Sequence, residues 1–191
     1  MIKKKPLFVY ITDTHLKKGN EELVLKIFQQ VFEFCVDNSI DTILFGGDFF
    51  TSREAQPLDV LDTAKKIFEQ AKEYNLVIEG IPGNHDKVSL SSDRSYLDIF
   101  NKEFNLSRTP TIKTIKGKKI GFLPYYKESE LLSVIKIHDI EKTILTEPLD
   151  LLITHLAVTG VKNNDGTVVS NNIDSKLFSN AKKVFVGHYH N

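Results

Sequence analysis

Short apolar segments that end in a metal-capable side chain constrain this sequence more than any other feature. In five strand-like segments, Asp, Asn or His stands at or soon after the end of the segment. The segments and the side chains that follow them are Leu7–Thr12 with Asp13 and His15, Thr42–Gly46 with Asp48, Leu76–Ile81 with Asn84, Leu151–Thr154 with His155, and Val184–Val186 with His188 and His190. Ligands gather at the carboxyl ends of strands in parallel and mixed sheets. The pattern therefore predicts one shared crevice.

Amphipathic segments alternate with these strands, which favours an α/β fold with layers in the order α-β-β-α. Apolar residues at helical spacing predict helices over Glu21–Asn38, Pro57–Tyr74, Asp93–Phe104 and Glu128–Ile140. The residues at helical spacing in the first of these segments are Leu23, Ile27, Val31 and Phe34.

A β-hairpin is predicted in the second half of the chain. Its strands are Thr111–Ile115 and Lys119–Leu123, and Gly117 supplies the turn between them. The polar segment Lys162–Asn172 is expected to be a loop.

Cysteine content and the lengths of the apolar runs argue against a secreted or membrane-spanning protein. The formal net charge is zero, so charge argues neither for nor against a polyanionic partner. The single cysteine, Cys35, lies in a helical apolar segment, as expected of a buried thiol in a reducing compartment. The apolar run at residues 7–11 is too short for a signal peptide, and no run reaches the roughly 18 residues of a membrane span. These features predict a cytoplasmic protein without a membrane anchor.

Spacing supports a shared role for the polar side chains. Asp13 and His15, like His188 and His190, are two residues apart, which places each pair on one face of an extended chain. Any one of these side chains alone would be read as structural, satisfied by a backbone hydrogen bond. Five of the six histidines, however, lie in or beside strand-end motifs, and the exception, His138, is expected to face solvent from a helix.

Taken in order, the motifs Asp13-x-His15, Gly47-Asp48, Gly83-Asn84-His85-Asp86, His155 and Gly187-His188-x-His190 resemble those of the calcineurin-like metallophosphoesterases. The resemblance spans nearly the whole chain and implies the four-layer metallophosphoesterase sandwich with mixed sheets. It also implies two metals. Asp13, His15 and His190 would hold the first metal, Asn84, His155 and His188 the second, and Asp48 would bridge them.

The donor types agree with that ligand set. Carboxylate, imidazole and amide ligands together suit Mn²⁺, with Fe or Zn as alternatives, better than Mg²⁺ or Ca²⁺. A pair of such metals can clamp a phosphoryl group and produce hydroxide from water at neutral pH. His85 adjoins a ligand without being one in the family. Its expected role is catalytic, to stabilise the transition state or to protonate the leaving oxygen, and a structural histidine is the alternative.

Weaker features are similar to the nuclease branch of the family, the SbcD-type exonuclease subunit and its phage recombination counterparts. They include Asp48-Phe49-Phe50 with Arg53 shortly after, and the segment Phe122–Tyr125. Some members of that branch carry a second histidine where this chain has Thr51. The resemblance implies a DNA exonuclease or endonuclease of repair and recombination, with DNA as substrate and an SbcC-like ATPase as partner. The sequence does not decide whether the protein forms a homodimer.

If DNA is bound, basic loop residues near the motifs should contact phosphates. Arg53, Lys87 and Arg94 are the candidates, and solvated surface charge is the alternative for each. Tyr125 and Tyr126 could stack on an unpaired base or pack beneath the loop.

The sequence stops at Asn191, one residue after the last predicted ligand. Members of the family normally continue with further strands, a DNA-capping region and a partner-binding segment. We therefore expect residues 1–191 to be a single domain without a capping or partner-binding domain and without the strands that would complete the second sheet. Either the domain is truncated at its C-terminal end, or a partner chain supplies what is missing.

Two other functions remain open from the sequence. One is a phosphodiesterase or phosphatase that acts on nucleotides or small phosphoesters. The other is a non-catalytic subunit in which the metals only brace a binding surface.

Overall fold

The computed structural model describes residues 5–127, 129–131, 144–162, 166–168 and 173–188. Helices α1 (Glu21–Asp37) and α2 (Leu58–Glu73) lie in the first of these ranges, and residues 129–131 are also helical. The eight strands are β1 (Val9–Ile11), β2 (Thr42–Phe45), β3 (Val77–Gly80), β4 (Phe104–Leu106), β5 (Thr111–Ile115), β6 (Lys118–Leu123), β7 (Leu151–Thr154) and β8 (Val184–Val186). Two short 3₁₀ helices cover Tyr96–Phe100 and Ser175–Phe178.

The strands form two four-stranded sheets in chain order. In the first sheet β1, β2, β3 and β4 lie side by side and all pairs are parallel. In the second sheet β5 and β6 are antiparallel, whereas β6, β7 and β8 are parallel. Both sheets therefore collect the carboxyl ends of several parallel strands at one edge.

Three apolar clusters hold the layers together. The first lies between the first sheet and helices α1 and α2, and the second covers the outer face of the second sheet. The third joins the sheets face to face through Leu44, Ile81, Ile120, Phe122, Leu151 and Ile153. The predicted α/β sandwich is confirmed. Of the helix predicted over Glu128–Ile140, residues 128 and 132–140 lie outside the described part of the chain, as does His138.

Helix α1 confirms the predicted helix, but most of the apolar residues whose spacing predicted it do not face the core. The buried side chains are Val24, Phe28, Phe32 and Cys35. Leu23, Ile27 and Phe34 are instead 60%, 40% and 51% exposed. The sequence carries apolar residues on both faces of this helix, so spacing alone did not decide which face turns to the sheet. The larger aromatic face is buried, as expected when burial free energy grows with apolar area.

The helix predicted over Asp93–Phe104 is wrong. Ser95 and Asp98 form a capping box, yet the helix that follows is only the 3₁₀ segment Tyr96–Phe100. Phe104 then begins strand β4, which pairs with β3. Leu97, Phe100 and Phe104 are all buried. Their helical spacing arises from a short helix and a strand in succession.

The hairpin of β5 and β6 is confirmed. Lys116 and Gly117 both have positive φ, at 50° and 72°. A two-residue loop with both φ angles positive matches the right-handed twist of the flanking strands. Among the helices of the described ranges, none is both long enough and apolar enough to span a bilayer.

The two faces of α1 give a direct test of the packing. Phe28→Ala should lower the free energy of unfolding by about 3–5 kcal/mol, because Phe28 is 1% exposed in the first cluster. Phe34→Ala removes the same atoms from a half-exposed position of the same helix. It should change the free energy of unfolding by less than about 1 kcal/mol. Urea unfolding followed by circular dichroism measures both. Equal losses would contradict the observed orientation of the helix.

Candidate metal centre

The ends of five strands meet at one edge of the two packed sheets. Asp13 follows β1, Asp48 follows β2 and Asn84 follows β3 in the first sheet. His155 and His188 follow β7 and β8 in the second. Backbone bonds from Asp13 N to Gly47 O and from His15 N to Asp48 O, at 2.9 and 3.1 Å, align the first two loops. The predicted crevice therefore draws on both sheets.

Asp13, His15 and Asp48 form the first group of ligand atoms. Nε2 of His15 lies 3.9 Å from Oδ1 of Asp13 and 3.8 Å from Oδ2 of Asp48. One donor atom from each of the three lies within 4.8 Å of the others. A gap of this size between two carboxylates and an imidazole suits a cation bound by all three.

Asp48, His155 and His188 form the second group, again with donor atoms within 4.8 Å of one another. Asn84 adjoins it, because its Oδ1 lies 2.9 Å from Nδ1 of His188. The backbone N–H of His188 donates to both oxygens of Asp13, at 3.1 and 3.2 Å. This contact joins the loop after β8 to the loop after β1.

Asp48 belongs to both groups and is 2% exposed. Its Oδ1 accepts a hydrogen bond from the backbone N–H of His85 at 2.8 Å, and its Oδ2 faces His155. Burial opposes ionisation of this carboxyl, yet the contacts with His155 and the His85 N–H hold its pKa at about 2. The group shared by the two clusters is thus an ionised carboxylate.

The surroundings of His155 fit a metal ligand. Its Nδ1–H donates to the carbonyl oxygen of Gly46 at 2.7 Å, which leaves the lone pair of the neutral ring on Nε2. Nε2 is fully buried, lies 3.1 Å from Oδ2 of Asp48 and makes no hydrogen bond of acceptable geometry. Two acceptor atoms at this distance repel unless a proton or a metal cation shares them. Fixing one ring nitrogen to a backbone carbonyl is the usual way to orient a ligating imidazole.

Several candidate ligands have an unusual backbone conformation. Asp13, His15, Asp48 and His188 have φ between 45° and 83°, whereas the other non-glycine residues with positive φ in the described ranges, Ser39, Asn75 and Lys116, lie in turns. A left-handed conformation costs a non-glycine residue about 1–3 kcal/mol and is typical of functional sites. The fold therefore holds four of these side chains at a cost in stability.

Two glycines are required by the close approach of the loops. A Cβ at Gly83 would collide with the carboxylate and the backbone nitrogen of Asp48. Gly47 has φ of 99°, and a Cβ there would lie 2.7 Å from Nδ1 of His155. Both glycines let the ligand loops touch.

The structure thus brings together Asp13, His15, Asp48, Asn84, His155 and His188, six of the seven predicted ligands. The seventh, His190, lies outside the described residues. Two threonines that sequence reasoning missed support the ligands: Thr12 Oγ1 donates to Oδ2 of Asp13 at 2.7 Å, and Thr51 Oγ1 donates to the carbonyl oxygen of His15 at 2.8 Å.

His85 stands at the rim of the first group, with its ring edge-on to His15 at a centroid distance of 5.2 Å. Its Nδ1 makes a short hydrogen bond to the carbonyl oxygen of Thr51, so Nδ1 carries a proton. Its Nε2 lies 3.4 Å from a guanidinium nitrogen of Arg53, which is exposed. Nε2 is therefore the ring nitrogen available to a bound substrate.

Asp86 and Lys87 are buried beneath the loop. Asp86 accepts hydrogen bonds from the backbone N–H groups of Phe50 and Gly83, both at 2.9 Å, and so ties two ligand loops together. Burial, and next the charge of Asp48, raise the pKa of Asp86 to about 7. Lys87 is 1% exposed, so the prediction that it contacts phosphates at the surface is wrong. Asp86 therefore orients backbone groups of the ligand loops.

Comparison with known proteins identifies this arrangement. A family model described as calcineurin-like phosphoesterase matches residues 6–191. The chain belongs to the calcineurin-like phosphoesterase family. Members of this family use divalent metals, and the two groups of ligand atoms are where this calcineurin-like phosphoesterase could hold them.

Its curated relatives include DNA double-strand break repair proteins named Mre11. The Saccharolobus solfataricus protein is 30% identical over 151 residues, which is 75% of this chain and 37% of the relative. The Methanosarcina acetivorans protein is 28% identical over 54% of this chain and 18% of the relative. The Methanosarcina mazei protein is 29% identical over 49% of this chain and 16% of the relative.

The resemblance predicted from the motifs, to the superfamily and to its repair-nuclease branch, is confirmed. This calcineurin-like phosphoesterase chain spans between 16% and 37% of the length of these three relatives.

Metal binding should compete with a proton at His155. Burial lowers the pKa of this imidazole, but the Asp48 carboxylate outweighs burial and the pKa is raised. A metal needs the lone pair of Nε2, so its affinity should fall as pH drops through that raised pKa, by up to about tenfold per pH unit. Calorimetry of Mn²⁺ binding in two buffers with different ionisation enthalpies should also detect proton release. A Mn²⁺ affinity that does not change with pH, together with no proton release, would contradict this account.

Proposed function

We propose that this chain is the nuclease domain of a DNA repair and recombination enzyme, which hydrolyses phosphodiester bonds with two divalent metals. The observation that carries the proposal is that two groups of ligand atoms share the buried carboxylate of Asp48. A shared carboxylate between two adjacent sites is the arrangement needed for a metal pair that clamps one phosphoryl group.

The proposed ligand set follows the family motifs. Asp13, His15 and His190 would hold one metal, and Asn84, His155 and His188 the other, with Asp48 between them. Mn²⁺ is the favoured ion because imidazole, amide and carboxylate donors are mixed, and Fe or Zn are the alternatives. When bound, the metals would neutralise charge on the phosphoryl oxygens and make a water acidic enough to supply the nucleophile.

The protein's own groups would orient the reaction. The hydrogen bond from His85 Nδ1–H to Thr51 O fixes the ring and leaves Nε2 as the nitrogen that would meet a substrate. In its protonated form His85 would transfer the Nε2 proton to the leaving oxygen as the P–O bond breaks. Arg53, 3.4 Å from Nε2, would contact a non-bridging oxygen of the same or the next phosphate.

DNA is the proposed substrate because the relatives named above are DNA double-strand break repair proteins. The exposed Arg53 beside the ligand groups supports a polyanionic substrate. An SbcC-like ATPase belongs to the proposal as partner, by analogy with the repair-nuclease branch.

The direct test is purified protein with Mn²⁺ on linear double-stranded DNA and, in parallel, on bis-p-nitrophenyl phosphate. Asp48→Asn should lower both activities by at least about 100-fold, because it removes the charge shared by the two sites. Asp62→Asn is the matched control, since Asp62 is an exposed carboxylate of α2 paired with Lys66 at 2.8 Å.

The outcomes separate the three functions. Cleavage of DNA that Asp48→Asn abolishes and Asp62→Asn preserves supports the nuclease. Cleavage of the chromogenic diester without DNA cleavage favours a phosphodiesterase of small substrates. Metal binding without cleavage of either substrate would leave the non-catalytic binding subunit.

His85→Asn isolates the proposed proton transfer. The amide nitrogen of Asn can keep the bond to Thr51 O, while the group corresponding to Nε2 is lost. We expect unchanged metal stoichiometry and a kcat about 10²- to 10⁴-fold lower on a dinucleotide, whose alkoxide leaving group needs a proton. The loss of kcat should be smaller on a p-nitrophenyl ester, whose leaving group needs no proton. An unchanged kcat on the dinucleotide would refute a catalytic role for His85.

A further inference from the structure

The two tyrosines that follow β6 have different environments. Tyr126 is 5% exposed and packs beneath the loop. Tyr125 is half-buried, and its ring lies 6.0 Å from the ring of His188, tilted by 37°. Tyr125 therefore forms a wall beside the second group of ligand atoms.

The backbone of Tyr125 is fastened on both sides to the loop that carries Asn84 and His85. Its N–H donates to the carbonyl oxygen of Pro82 at 3.3 Å. Its carbonyl oxygen accepts a hydrogen bond from Nζ of Lys87 at 3.0 Å. The position of the aromatic wall is thus tied to the position of the ligand loop.

The ammonium group of Lys87 makes this hydrogen bond from a buried position, which is energetically unfavourable for a charge. Its Nζ lies 4.5 Å from the centroid of the Tyr126 ring, and no carboxylate of the described residues lies within 4.0 Å of it. Burial lowers the pKa of Lys87, and the charges of Asp93 and Glu130 oppose this only in part. A buried ammonium without an ion-pair partner costs stability, and an apolar side chain of similar length would cost less. A requirement other than stability is therefore the better reason for a lysine here.

Tyr125 also lies near the charges of the proposed site. Burial raises the pKa of its phenol, and the charges of Arg53, Glu130 and Asp48 act on it as well. The observed neighbour of the ring among the ligand groups is His188. A substrate with phosphate at the metals would place its neighbouring group against this ring.

We propose that Tyr125 stacks against the nucleoside next to the scissile phosphate, and that Lys87 is the positioning residue that holds Tyr125 there. This inference rests on the proposed function and narrows it to substrates that carry a base. Base–aromatic stacking is tolerant of sequence because every base offers a flat face. The Tyr125 wall would therefore favour nucleotides over simple phosphoesters without selecting a particular base.

The test is a pair of ligands that differ only in the nucleoside. Dissociation constants of thymidine 5′-monophosphate and of methyl phosphate are measured by calorimetry in the presence of Mn²⁺. Tyr125→Ala should weaken binding of thymidine monophosphate by roughly 5- to 100-fold and leave methyl phosphate unchanged. Tyr125→Phe keeps the ring and should restore the preference.

Lys87→Met separates positioning from folding. We expect the same selective weakening for thymidine monophosphate with a Tm that stays equal or rises, since a buried charge has been removed. Lys65→Met, at an exposed position of α2, is the control for loss of a positive charge.

Two results would overturn the inference. One is a Tyr125→Ala protein that binds both ligands as the wild type does, or loses both equally. The other is a Lys87→Met protein with a lowered Tm and equal losses for both ligands, which would make Lys87 purely structural. A nucleoside preference that depends on Tyr125, in a protein that cleaves no diester, would support Tyr125 stacking while refuting the hydrolase.

Discussion

The carboxylate of Asp48 and the imidazole of His155 meet in the interior at 3.1 Å, and each comes from a different sheet. Neither group is stable there without a cation between them, because both present electron pairs across the gap. A proton satisfies the contact at low pH, and a divalent metal would satisfy it otherwise. The rest of the centre is arranged around this contact, since the loops of Asp13, Asn84 and His188 all approach the same carboxylate edge.

Stability is exchanged for geometry at this edge in several independent ways. Four candidate ligands keep a left-handed backbone, Asp86 is a fully buried acid and Lys87 a nearly fully buried base. Each of these features costs free energy that the apolar clusters offset. Outside the edge, the same fold uses ordinary devices, such as aromatic packing behind α1 and a two-residue hairpin loop.

The strand ends were predictable because strand periodicity and the polar residue that stops each run are both local in sequence. Six of the seven predicted ligands fall together for that reason, and the role of all seven as metal ligands stays a prediction. Other features depend on packing that no local pattern encodes. The face of α1 was ambiguous because apolar residues occur on both sides of the helix, and β4 was hidden because Leu97, Phe100 and Phe104 mimic helical spacing. Thr12, Thr51 and Lys87 act through backbone carbonyls or a neighbouring carboxylate, a role that their identity does not reveal.

The contact between Asp13 and the backbone of His188 closes a loop of 175 residues in sequence. Contacts between residues so far apart in sequence carry a high entropic cost of loop closure, so this end of the centre should be among the last parts to form. During synthesis on the ribosome, the first three strands emerge long before β8 does. A nascent chain can therefore present Asp13, His15 and Asp48 to metal early, but the second group must wait until β8 has been released.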